Sequence, residues 1–169
     1  MKNLLEIAFV LVFAVSISAQ ANSPSFTAVA MDGSKVDTAE LRGKVVVVNL
    51  WFINCINCLE EIKTLNQLVD SYKENKDVVF LALASSKRAD LAKFLAKTPF
   101  KYTIVPDAQQ IILEKFGTPN KNGAIDIAFP MHFVMDKDGK IVIKVQGVKG
   151  VEAVKAELKK QFAAKAANG

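Results

Sequence analysis

Val45-Val46-Val47-Val48-Asn49-Leu50-Trp51-Phe52-Ile53-Asn54-Cys55-Ile56-Asn57-Cys58 is the stretch that decides the fold. Residues 44–51 are a largely β-branched apolar run without alternation. That pattern marks a strand buried on both faces, usually central and parallel in its sheet. Beyond residue 58 the apolar positions Leu59, Ile62, Leu65, Leu68 and Val69 recur at helical spacing, which predicts a helix over 59–72. A strand ending at Phe52 and a helix beginning near Cys55 put the first sulfur at a helix N-terminus. Unpaired backbone N–H groups carry partial positive charge there, so a thiolate is better stabilised than on a free cysteine.

Cys55 and Cys58 are the only cysteines in the chain. An isolated C-x-x-C is either a redox dithiol or half of a metal site. One turn of helix brings the two sulfurs close enough to bond without large backbone movement. The pair can therefore act as attacking thiolate (Cys55) and resolving thiol (Cys58). A purely structural disulfide across so short a loop removes little chain entropy. A zinc site needs about four ligands, and one histidine, His132, is all the chain adds to the two cysteines. Copper remains an alternative, because two thiolates and an imidazole suit it.

Further along, 77–84 predicts a second buried strand, 87–97 a helix ended by Pro99, 102–105 a short strand and 108–116 a helix closed by Gly117. Strands over 131–135 and 141–145 flank Asp136-Lys137-Asp138-Gly139, a hairpin turn. A final amphipathic helix spans 151–164, and 163–169 is expected to fray. Upstream, 23–30 is a loose lead-in, and Thr38 caps a short helical turn. Residues 117–129 form the one long irregular connection, with a short strand inside 124–128. Strands alternating with helices imply an α/β sheet with helices on both faces.

The N-terminus bears on where the dithiol works. Lys2 precedes an apolar run over 7–17, and Ala19-Gln20-Ala21 has the form of a cleavage site, so 1–21 reads as a signal peptide and 22–169 as one domain. The run is shorter than the roughly 20 residues a spanning helix needs. The net charge of +5 is spread along the chain, with a modest cluster at Lys155, Lys159, Lys160 and Lys165. Aromatic residues do not interleave with it, so a nucleic-acid partner is not expected. The mature chain is expected to be a monomer in a compartment that permits disulfides.

Several segments together resemble the thioredoxin superfamily, and within it the secreted TlpA/ResA-like branch. They are Pro24-Ser25-Phe26, Asp32-Gly33, the run from Leu41 to Trp51, Val78-Val79-Phe80-Leu81-Ala82-Leu83, Pro106-Asp107, and the run from Phe129 to Ile141. The resemblance covers nearly all of the chain beyond the leader. It implies a thioredoxin-like fold with a central mixed sheet, and a thiol–disulfide oxidoreductase needing no cofactor beyond a Cys55–Cys58 disulfide. It makes Pro130 a cis-proline facing the dithiol, with Phe129 and Trp51 beside a bound substrate strand. It makes Glu61 the acid–base group near the cysteines, since Asn49 stands where thioredoxins proper keep a buried acid. It also implies a periplasmic setting, client protein disulfides as substrates, cytochrome c maturation as a role, and a membrane electron donor. Ile56-Asn57 departs from the family's usual dipeptide, which leaves the direction of electron flow open. Phe52 stands where a peroxidatic enzyme places Thr or Ser.

Overall fold

All seven residues of β3 (Val45–Trp51) are buried, and the sheet is built outward from them. The computed structural model describes residues 23–166, with side chains described as far as residue 163. The predicted leader at 1–21 lies outside the described residues. Before β3 come β1 (Thr27–Val29) and β2 (Lys35–Asp37). After it come α1 (Ile56–Ser71), β4 (Val78–Ala84), α2 (Arg88–Leu95), β5 (Thr103–Val105) and α3 (Gln109–Phe116). The chain continues through β6 (Thr118–Pro119), β7 (Ile125–Asp126), β8 (Met131–Met135), β9 (Ile141–Gln146) and α4 (Gly150–Ala166).

The main sheet has five strands in the order β5-β4-β3-β8-β9. β3 runs parallel to β4 and antiparallel to β8, so the sheet is mixed, as expected. Successive side chains of a strand point to opposite faces, and the core divides accordingly. Val45, Val47 and Trp51 pack with α1, with Leu91 of α2, and with Val151, Val154 and Leu158 of α4. Val46, Val48 and Leu50 pack with Ile112 and Phe116 of α3, and with Phe26, Ala30 and Val36 of the β1–β2 region. Helices therefore cover both faces, which is a thioredoxin-like α/β fold.

Four expectations are corrected. The lead-in over 23–30 contains β1, which pairs antiparallel with β2. Thr38 caps no helix. Its hydroxyl oxygen accepts from Phe26 N at 3.0 Å and lies within reach of the Pro24 and Phe26 carbonyls, so it stitches the lead-in to the hairpin. The long connection is not irregular throughout: β6 pairs with β7, and β7 falls inside 124–128, where a short strand was expected. The closing helix does not fray at residue 163 but runs to Ala166.

Candidate active site

Cys55 is the N-cap of α1, with extended backbone (φ −87°, ψ 100°). Its Sγ accepts a hydrogen bond from the Cys58 backbone N–H at 3.2 Å. The helix therefore aims one of its unpaired donors at the first sulfur, in the role an oxygen plays at an ordinary cap. The two cysteines are joined in a disulfide with Cα atoms 5.2 Å apart. Cys55 is 8 % exposed and Cys58 1 %, while Ile56 between them is 74 % exposed. Cys55 is the more exposed of the two, which fits attack by Cys55 and resolution by Cys58. Upstream, Ile53 N donates to Ser86 Oγ and Ser85 N to Trp51 O, so the turn carrying the dithiol is tied to the end of β4.

β8 brings the proline to the same end of the sheet. Its register places Met131 opposite Leu50, so Pro130 falls beside the C-terminal end of β3, where α1 begins. The Phe129–Pro130 peptide bond is cis. Phe129 meets Phe52 edge to face, with ring centroids 5.2 Å apart, and both rings are partly exposed. Trp51, expected beside a substrate strand, is instead core: it is 1 % exposed and packs against Phe94 and Phe100. Period-two alternation turns Trp51 toward the α1 side of the sheet, while Phe52, one residue later, reaches the rim.

Glu61 is fully buried, three residues along α1 from Cys58, and so on the same face of the helix. A buried carboxylate is costly unless it is hydrogen-bonded. Here both oxygens are occupied: Asn49 Nδ2 donates to Oε1 at 2.9 Å, and His132 Nε2 lies 3.1 Å from Oε2. Asn49 and His132 are themselves 1 % and 0 % exposed. His132 is thus a fully buried residue with a carboxylate partner, where the sequence offered a copper ligand. Among the described residues no group of three or more His, Cys, Asp or Glu is placed to hold a metal ion. Burial, and then the negative charge of Glu61, push the Tyr102 phenol above its ordinary value.

This arrangement of sheet, capped cysteine and adjoining proline defines a thioredoxin-fold redox protein. The sequence model of the Redoxin family matches residues 18–161, and the chain belongs to that family, in its TlpA/ResA-like part. It is 31 % identical over 140 residues to the thiol-disulfide oxidoreductase ResA of Bacillus anthracis, covering 82 % of this chain and 75 % of that one. It is 29 % identical over 140 residues to the ResA of Bacillus thuringiensis subsp. konkukian, with the same coverage. Among solved structures, the thiol-disulfide oxidoreductase of Bacteroides fragilis shares the fold with a TM-score of 0.63 at 20 % identity, covering 83 % of this chain and 99 % of that one.

Proposed function

We propose that this thiol–disulfide oxidoreductase works in the reducing direction on disulfides of client proteins outside the cytoplasm. The observation that carries the reading is the capped sulfur: Cys55 receives the Cys58 N–H at the start of α1, while Cys58 stays covered behind it. Cys55 thiolate attacks a client disulfide and releases one client sulfur as thiolate. Cys58 then attacks Cys55 Sγ, closing the Cys55–Cys58 bond and freeing the second client sulfur. Two electrons pass from the dithiol to the client. Phe129 and Pro130 border the groove in which the client strand lies, and Glu61 handles the proton of the resolving thiol. The ResA names of the relatives support this chemistry. The leader-like residues 1–21 support export to a periplasm-like compartment, with a membrane electron donor recharging the dithiol and cytochrome c maturation as the setting. No helix of the described residues is long and apolar enough to cross a membrane.

Trapping tests the reading. Cys58→Ser is expected to accumulate mixed disulfides through Cys55, releasable by dithiothreitol, whereas Cys55→Ser forms none. A reduction potential of about −270 mV or below accords with a reductase, and one of about −120 mV reverses the direction. If Cys58→Ser captures no client and the wild-type protein reduces no protein disulfide, the reading fails.

A further inference from the structure

The geometry points to His132 as a positioning residue that fixes Glu61, the carboxylate that takes the proton released by Cys58 when the mixed disulfide resolves. The inference rests on the reductase reading and adds to it a strand-borne residue that holds the proton-accepting carboxylate.

The hydrogen-bond roles can be assigned from the heavy atoms. Asn49 Nδ2 lies 2.9 Å from Glu61 Oε1 and 3.4 Å from His132 Nδ1. The opposite orientation of the amide would set its oxygen against a carboxylate oxygen, so the nitrogen faces the pair. An amide NH2 only donates, hence Glu61 Oε1 and His132 Nδ1 both accept from Asn49. With Nδ1 accepting, the ring hydrogen sits on Nε2 and is donated to Glu61 Oε2 at 3.1 Å. Each donor of one asparagine thus orients one member of a carboxylate–imidazole pair, and each member also bonds the other.

The fold holds this pair in place. His132 belongs to β8, two residues after Pro130, and pairs with Asn49 across the strands. Glu61 comes from α1, the helix that carries both sulfurs. Gly150 opens α4 directly over the imidazole: a Cβ there would stand 2.9 Å from His132 Cδ2 and 3.0 Å from Val145 Cγ2. The glycine lets the helix start close against the ring, and the ring has no room to turn. A buried ion-pairing group without a task would be replaced at little cost by packed apolar residues.

A task exists at the resolving step. Cys58 must lose a proton before it attacks Cys55 Sγ, and at 1 % exposure it has little access to water. The proton passes from Cys58 Sγ to the Glu61 carboxylate. The Cys58 Sγ–Cys55 Sγ bond forms, the bond to the client breaks, and the client leaves as thiolate. Glu61 then returns the proton to the leaving sulfur or to solvent. Asn49 from β3 bonds both members of the pair and the Tyr102 phenol senses the Glu61 charge, while Cys58 lies three residues before Glu61 on the buried face of α1. Glu157 of α4 bonds Gln161 and Lys160 on its own helix.

His132 is the only histidine, so a 15N-histidine label reports on it alone. In the full-length wild-type protein, its ring nitrogen chemical shifts at pH 7 are expected to differ between the oxidised and reduced states. Glu61→Gln is expected to abolish the difference. Stopped-flow resolution of a preformed mixed disulfide is expected to slow about 10- to 100-fold in His132→Gln, up to the lower end of general acid–base effects, since the residue acts through Glu61. Mixed-disulfide formation in a Cys58→Ser background should change less than about twofold on the same substitution. Identical 15N chemical shifts in both redox states overturn the inference, and they need no variant to fold. Equal slowing of both steps in His132→Gln overturns it too. A protein that reduces no disulfide at all fails the reductase reading, whereas one whose resolution rate ignores His132 fails only this inference.

Discussion

Tyr102 shows what a single buried polar atom does when the fold gives it no partner. Its hydroxyl is one of three buried side-chain polar atoms without a protein partner among the described residues, beside Asn49 Oδ1 and Trp51 Nε1. The ring packs against Phe80 and Phe100, so its apolar body accounts for its place in the core. Removing an unbonded hydroxyl sacrifices no hydrogen bond, and Tyr102→Phe is expected to change stability at pH 7 by less than about 1 kcal/mol. The alkaline limb is where the substitution matters. The folded state keeps the phenol proton that the unfolded chain releases near the ordinary value of about 10. Above that pH the unfolded state binds fewer protons, so stability falls as pH rises, by up to about 1.4 kcal/mol per unit. Below it the contribution is constant. Urea midpoints of wild type and Tyr102→Phe should therefore coincide between pH 7 and 9, and the variant should become the more stable of the two above pH 10. Parallel loss in both proteins across that range would show that Tyr102 titrates as an exposed phenol.

At the scale of elements, short strands hold only where a distant side chain pins them. β1 and β2 have three residues each, too few to stand alone in water. Arg88, the first residue of α2, donates to the carbonyls of Val29, Ala30 and Met31, and Met31 N donates to Ile104 O. Arg88→Ala is expected to cost about 1 kcal/mol, since these charge-assisted bonds are mostly exposed. It should speed amide exchange in 27–37 while leaving β3 protected; uniform loss of protection would mean that the hairpin and the sheet open as one unit. The same long reach explains what the sequence left unread. β3, β4 and β8 were legible because apolar runs, interrupted only by Asn49 in β3 and His132 in β8, need no partner to be recognised. α1 was legible from its period: Ile62, Leu65 and Leu68 are buried and Leu59 and Val69 pack half-buried on the same core, while the structure adds Cys58 and Glu61 to the buried face. Glu61 falls on that stripe by spacing. Its partners stand 12 and 71 positions away, so its burial followed from no local rule. Pro130 and the dithiol could be placed together from the resemblance. The exclusion of Trp51 from the groove, and the bond between His132 and Glu61, needed the register of β8 on β3.

Over the whole molecule, the balance around the dithiol links redox state to stability. The two sulfurs close one of the two cores, packed with α1 and the β3 face that also carries Val45, Val47 and Trp51. Reduction puts thiols, and at Cys55 a fraction of thiolate, into that core. The N-terminus of α1 favours the negative charge by about 0.3–1 kcal/mol. The Glu61 carboxylate opposes it from six residues further along; two like charges about 9 Å apart repel by about 2 kcal/mol at an effective dielectric constant of about 20. The unfolded chain has neither effect, so the fold as a whole favours the disulfide. Oxidised protein is expected to resist urea more than reduced protein, by about 1 kcal/mol at pH 7. The thermodynamic cycle ties that gap to the potential, since about 30 mV corresponds to about 1.4 kcal/mol for a two-electron couple. The native dithiol should therefore lie about 20 mV below the same pair in the urea-unfolded chain. Glu61→Gln removes the opposing charge and should shrink both quantities together. A reduced form that outlasts the oxidised one in urea would mean that the helix terminus dominates, and the protein would then act as an oxidant.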